Sequence, residues 1–247
     1  MNPLPALLLP LLMLCCSIPS LAINTPLKVT VLSHDAKFIG DKTEGVSVTV
    51  TRLTDNQILA QGKTQGKTGD TNRLMKSPKQ RFEQLSTADS AHFSVELDLN
   101  QPTLVRILIQ GPGFLGARVL SASRDLWLLP GKDYQHGDGI LMTLQGFIID
   151  TNWSQEGTTV TVDSLVNLLC GCPVEPDGLW NAAHYQLQAT LQQTGQPIAR
   201  QALTFIGDSE FRATFQDLTA GEYQLQITAF DPKSLNTGVQ TIIIQID

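Results

Sequence analysis

Two cysteines, Cys170 and Cys172, are separated by a single glycine in the segment Cys170-Gly171-Cys172-Pro173. The chain has four cysteines, and the other two, Cys15 and Cys16, fall within a predicted N-terminal export signal. Two thiols this close in an oxidising compartment are expected to form a disulfide, to bind a soft metal ion or to bond to another molecule. No other pair in the sequence points as directly to a reaction or a bound ion.

Three interpretations of Cys170 and Cys172 stay open on the sequence alone. The first is a local disulfide, inert or redox-active. A bridge between residues i and i+2 is expected to be strained and labile, and it encloses too little chain to contribute much to folding. The second is a soft-metal site, for which Cu(I) is the candidate cofactor and His184 the third ligand. The third is disulfide exchange or a covalent link with a partner.

Histidines offer a weaker basis for chemistry. His34-Asp35 and His136-Gly137-Asp138 each combine imidazole with carboxylate, which are common metal ligands, but the sequence does not show that they converge. A hydrolase would have to combine a histidine with a serine from the set His34, His92, His136, Ser33 and Ser94. There is no Gly-x-Ser-x-Gly, His-Glu-x-x-His, phosphate-binding loop or EF-hand loop. We therefore predict that the protein is not an enzyme.

The first 22 residues read as a cleaved secretory signal. Residues 4–16 are uncharged and apolar, and Ser20-Leu21-Ala22 places small residues where a signal peptidase reads them. The apolar run is too short to span a bilayer, for which about 20 residues are needed. Lipid attachment at Cys15 or Cys16 is an alternative. It fits poorly, because Leu14 precedes Cys15 where a small residue is normally required before the cleavage site. The mature chain is expected to be periplasmic or secreted, without a transmembrane segment.

The mature chain is long enough for two domains, and its charge divides in the same way. Residues 23–150 carry 14 basic and 13 acidic side chains, whereas residues 151–247 carry 3 and 10. The net charges are therefore +1 and −7, and so acidic a second half argues against binding to nucleic acid. We predict a first domain over 23–150, a second over 151–247 that carries the Cys-Gly-Cys-Pro loop, and a linker over 150–157.

Apolar and polar residues alternate through most of the chain, which predicts half-buried β-strands. The clearest runs are residues 46–51, 93–99, 105–109, 185–191, 211–215 and 239–246. Residues 63–91 interrupt the pattern as a long polar loop, in which 72–90 could hold a short helix. In the second half, Leu218, Gly221 and Tyr223 precede an alternating strand. This is typical of the tyrosine corner of a Greek-key sandwich.

Both halves resemble bacterial immunoglobulin-like or transthyretin-like β-sandwich modules. The resemblance rests on residues 45–50, 58–60 and 93–97 in the first half and on 218–227 in the second. It implies an all-β chain of two tandem Greek-key (Ig-like) sandwiches. It also implies a role in binding, spacing or accessory contacts rather than in chemistry.

The sequence thus predicts an exported, non-catalytic accessory or binding protein of the bacterial cell envelope. Its partner would be another envelope protein or a small ligand, and its oligomeric state is not indicated. The alternative is a periplasmic thiol-based copper-binding or redox protein centred on Cys170 and Cys172, with His184 as the added metal ligand.

Overall fold

The computed structural model describes residues 22–247. Residues 1–21 of the predicted signal peptide, which include Cys15 and Cys16, lie outside the described residues. The strands in the described range are β1 (Ile23–Ser33), β2 (Ser47–Arg52), β3 (Ile58–Lys63), β4 (Phe93–Leu99), β5 (Thr103–Gly111), β6 (Leu120–Leu128), β7 (Ile140–Leu144), β8 (Phe147–Glu156), β9 (Thr159–Leu168), β10 (Gln186–Gln193), β11 (Gln196–Ala202), β12 (Thr204–Gly207), β13 (Glu210–Phe215), β14 (Gly221–Phe230) and β15 (Thr237–Ile246). Short helical turns occupy Asp41–Thr43, Asn72–Lys76, Gly113–Arg118 and Ala182–His184. None of the described helices is long and apolar enough to cross a membrane.

Strands β1 to β7 form the first sandwich. One sheet has the order β4-β1-β7 and the other the order β3-β2-β5-β6. All pairs are antiparallel except β1 with β7. Alternate residues of the facing strands are fully buried between the sheets, among them Val29, Val31, Val48, Val50, Val105, Ile107 and Ile109.

Strands β8 to β15 form the second sandwich, with sheets of order β12-β13-β9-β8 and β11-β10-β14-β15. Its core contains the inward residues of β9, β10, β13 and β14, such as Val162, Leu191, Phe211 and Leu225. The chain changes sheets repeatedly in both halves. The predicted all-β, Ig-like architecture is therefore confirmed, and so are the strands predicted from alternation.

The long polar segment between β3 and β4 lacks strands but has a small core of its own. Leu74 lies in a π-helical turn over Asn72–Lys76 and is buried against Phe38, Leu85 and Ala91. Asp138 holds the far part of this segment, because its carboxylate accepts hydrogen bonds from the backbone amides of residues 85 and 86 at 2.7–3.1 Å. The predicted loop is thus an ordered flap over the first sandwich.

The predicted linker over 150–157 is wrong. These residues continue β8 as far as Glu156 and pair with β9 along its full length. The segment is polar because β8 is the edge strand of its sheet, and Asn152, Trp153 and Ser154 are exposed there. Polar composition therefore marked a solvated edge rather than a break in structure. The turn between the sandwiches lies instead at residues 145–146, and the division into separable domains stays a prediction.

Each of the two cores also contains buried side chains from the other sandwich. Ile148, in β8 of the second sandwich, and Leu169, directly after β9, are buried in the first core. Ala36, from the first half, is buried in the second core. Buried side chains of this kind make separation of the sandwiches costly, because it would expose apolar surface on both sides.

The predicted tyrosine corner is confirmed. The Tyr223 hydroxyl donates to the carbonyl oxygen of Thr219 at 2.8 Å and lies 3.0 Å from the Thr219 hydroxyl. The ring is 2 % exposed and belongs to the second core. The side chain therefore fixes the corner that leads into β14.

Replacing Tyr223 with phenylalanine should lower the free energy of unfolding by about 0.5–1.5 kcal/mol, because the Thr219 carbonyl loses a buried donor. Urea unfolding measures this change. Tyr185→Phe is the matched control, since the Tyr185 hydroxyl makes no hydrogen bond with another described residue, and it should leave the midpoint almost unchanged. Equal effects from the two substitutions would contradict the corner.

Candidate functional site

Cys170 and Cys172 form a disulfide, as one of the three sequence interpretations predicted. The turn that holds them is tight, because the Leu168 amide donates to the Cys172 carbonyl at 3.0 Å and the Gly171 amide donates to the Leu168 carbonyl at 2.8 Å. Gly171 has a φ of +70°, which glycine adopts without cost. Both cysteines are buried, with exposures of 0 % and 5 %. The bridge therefore lies inside the protein rather than on a reactive surface.

The cysteine turn is docked against the first sandwich. Leu169 is fully buried there; its amide donates to the Ser33 hydroxyl oxygen at 3.2 Å, and its carbonyl accepts from the Thr43 hydroxyl at 3.1 Å. The Lys42 ammonium donates to the Gly171 carbonyl. A Cβ at Gly171 would come within 3.0–3.1 Å of Thr43 and Lys42, so the close approach also requires glycine.

The structure does not bring His184 together with the cysteines. Among residues 22–247, no group of three or more His, Cys, Asp or Glu side chains is arranged to hold a metal ion. His184 ends the surface turn Ala182–His184, and its Nδ1 lies 3.4 Å from the Lys233 ammonium, a poor neighbour for a cation. The intervening loop carries the chain from the buried turn to the surface, and the metal site formed by Cys170, Cys172 and His184 stays a prediction.

Two of the remaining histidines, His34 and His92, bond to backbone carbonyls. His34 donates from Nε2 to the Ser234 carbonyl at 2.8 Å, and His92 donates from Nδ1 to the Ser90 carbonyl at 2.8 Å. The Ser33 hydroxyl accepts the Leu169 amide. These side chains hold backbone segments together, and the hydrolase and the His-Asp metal pairs stay hypotheses of the sequence.

The candidate site is a cleft of about 270 Å³ where the two halves of the chain meet. The first sandwich and its flap supply Asp35 and Met75, and the second sandwich supplies the other lining residues, Leu179, Trp180, Asn181, His184, Tyr185, Asp231 and Lys233. The Trp180 indole N–H donates to the Asp35 carbonyl at 2.9 Å and so links the two halves of the chain at the cleft. Boundaries between domains are common places for ligand sites.

Two carboxylates in the cleft have different surroundings. Asp231 is buried, and its carboxylate accepts hydrogen bonds from the Lys233 amide at 2.9 Å and the Ser234 hydroxyl at 2.6 Å. The Asp35 carboxylate accepts no hydrogen bond from another described residue. Asp35 also has a φ of +51°, an uncommon conformation for a residue with a side chain. The Asp231 carboxylate therefore shapes its own loop, whereas that of Asp35 is available.

The electrostatics of the cleft follow from this arrangement. Although Asp35 keeps contact with solvent, partial burial raises the pKa of its carboxyl, and the nearby Asp231 raises it further against the opposing effects of His34 and Lys79. Burial, with Asp231 and Asp35, also raises the pKa of Tyr185. The Tyr185 hydroxyl thus stays protonated and can donate.

Sequence reasoning noted Asp35 and His184 but assigned them to other sites, and it missed Tyr185, Asp231 and Lys233. No local motif could have joined them, because the cleft exists only through the packing of distant loops.

No protein-family model and no curated protein sequence matches the chain. Among solved structures, the chain is similar to a chicken interferon gamma receptor alpha chain, with 11 % identity, coverage of 82 % of this chain and 84 % of that chain, and a TM-score of 0.34. A DUF3823 family protein from Parabacteroides merdae has 9 % identity, coverage of 92 % and 100 %, and a TM-score of 0.27. Similarity at this level carries no argument about function, and the fold stands on the strands and sheets described above.

The buried disulfide should resist reduction in the folded protein. Because neither sulfur is accessible to a thiolate, native protein in a few millimolar dithiothreitol should show almost no free thiol, and two thiols per chain should appear once guanidinium unfolds it. Alkylation followed by mass spectrometry of the mature chain measures this. Rapid reduction of the native protein would instead restore the redox interpretation.

Asp35→Asn should stabilise the protein at neutral pH. The folded-state pKa of Asp35 lies above its ordinary value of 3.8. The unfolded chain therefore ionises first as the pH rises, and a stability penalty appears above that value. The Asp35→Asn variant lacks this penalty, so its melting temperature should exceed the parent's at pH 7 and lose that advantage near pH 3. A lower melting temperature at pH 7 would show that the carboxylate is structurally required.

Proposed function

We propose that the protein is an exported, non-enzymatic binding protein of a bacterial cell envelope, and that its cleft receives a protonated nitrogen. That group is either a free amine or a lysine or arginine side chain of another envelope protein. The observation that carries the proposal is the Asp35 carboxylate, which lines the cleft together with Asp231 and has no hydrogen-bonded partner in the described chain.

The charges in the cleft favour a single positive group. Among the lining residues, Asp35 and Asp231 contribute two negative charges and Lys233 one positive charge, so the lining has a net charge of −1 when His184 is neutral, and Lys79 acts on Asp35 from outside the lining. A cation that donates to Asp35 would form a charge-assisted hydrogen bond with a carboxylate that accepts none from the described chain. The Asp35 carboxylate, which destabilises the free protein, would then be stabilised by the bound cation.

The other walls of the cleft suit the carbon chain that carries such a nitrogen. Trp180 presents an apolar body whose indole N–H is already used, and Leu179 and Met75 line the same space. Amines and basic side chains have this combination of an apolar stem and a charged end.

The test is a titration of the ¹⁵N-labelled mature chain with n-butylamine and, separately, with the blocked peptide acetyl-Gly-Arg-Gly-amide. We expect saturable shifts at the Trp180 indole N–H that weaken at least tenfold in Asp35→Asn. Asp208→Asn removes a carboxylate from the exposed turn before β13, away from the cleft, and should bind like the parent. The neutral peptide acetyl-Gly-Gln-Gly-amide should not bind.

The two probes separate the sources of the nitrogen. Binding of butylamine assigns the cleft to free amines, and binding of the peptide alone assigns it to a partner protein. The proposal fails if neither probe saturates, or if the Asp35→Asn and Asp208→Asn variants lose binding equally.

A further inference from the structure

The outer face of the sheet β11-β10-β14-β15 is almost free of charge. The strand registers place Gln186 opposite Phe230, Gln188 opposite Thr228 and Gln192 opposite Gln224. Gln224 and Gln226 in turn lie opposite Ile243 and Thr241 of β15. On the four strands of this sheet, the outward charged residues are Arg200 and Glu222, which lie toward its margins.

Two of the other sheets carry ion pairs on their outward faces. Arg106 donates to Asp125 at 2.7 Å across β5 and β6, and Arg212 donates to Asp163 at 2.7–2.8 Å across β13 and β9. The second half of the chain has a net charge of −7. The outer face of this sheet therefore differs from that of its partner sheet, because it is nearly uncharged although the sandwich is acidic. Such a face suits a ligand without charge.

The amides on this face are available to a ligand. The side chains of Gln186, Gln188, Gln224 and Gln226 make no hydrogen bond with another residue of the described chain. Each amide offers two donors and an acceptor, and the strand registers set each one opposite an uncharged residue of the neighbouring strand. The face thus carries neutral donors and acceptors that no described residue uses.

A groove of about 390 Å³ runs along this face at the end nearest the cleft. Its walls include Tyr185 and Phe230, two half-buried aromatic rings, with Gln186, Gln188, Thr228 and Ala202 between them. Aromatic rings offer a flat apolar surface beside the amides, so the groove combines stacking with neutral hydrogen bonding.

We propose that this groove binds an uncharged oligosaccharide. Sugar hydroxyls both donate and accept, as the glutamine amides do, and the C–H faces of pyranose rings pack on aromatic side chains. A neutral glycan also avoids the cost of removing charges from water. Tyr185 lines both spaces, but the other side chains of the groove differ from those of the amine site and carry no charge.

The experiment is isothermal titration calorimetry of the mature chain with maltohexaose, cellohexaose and chitohexaose. At least one of these probes should bind. Gln188→Glu keeps the side-chain shape but places a negative charge in the groove, and it should weaken that binding at least tenfold. Gln61→Glu makes the same change on exposed strand β3 of the first sandwich and should have no effect. A tri-galacturonate, which is charged, should not bind.

Three outcomes overturn the proposal. The first is that none of the three hexasaccharides binds, and the second is that the two glutamate variants behave alike. The third is a protein contact at the same face, which Val239 and Ile243, exposed by 63 % and 60 %, could support. Light scattering would show it if the parent is a dimer and Gln188→Glu is a monomer.

Discussion

The burial of Leu169 in the first sandwich is the contact on which the rest of the structure depends. The side chain belongs to the second half of the chain, directly before the disulfide, and it is fully enclosed by the first core. Its amide and carbonyl would be unsatisfied in that position without the Ser33 and Thr43 hydroxyls. The contact is therefore both apolar and fully hydrogen-bonded, which gives it a single geometry.

The cleft follows from this docking. The cysteine turn leads into the loop that carries Trp180, and the indole of that residue returns to the backbone of Asp35. His34, next to Asp35, is bonded to the loop between β14 and β15 that supplies Asp231 and Lys233. The contacts between the two sandwiches thus fix the positions of the cleft residues that each sandwich supplies. The disulfide is better explained as a fixed turn in this docking than as a reactive group.

Local patterns predicted the strands and the tyrosine corner because alternation and turn residues report which face of a strand is buried. The same logic failed at residues 150–156, where an edge strand exposed on both faces looks like a linker. The site could not be predicted, since Asp35 and Asp231 come from opposite halves and meet only through tertiary packing. Spacing in sequence suggested His184 as a ligand to the cysteines, but the backbone between them leaves the buried turn.

Differential scanning calorimetry of the mature chain tests the central claim most directly. If Ile148, Leu169 and Ala36 interlock the two cores, the sandwiches should unfold together. A single transition should appear, with a calorimetric enthalpy equal to the van't Hoff enthalpy. Two separated transitions, or a calorimetric enthalpy about twice the van't Hoff value, would show that the sandwiches are independent and that the boundary does not hold the cleft.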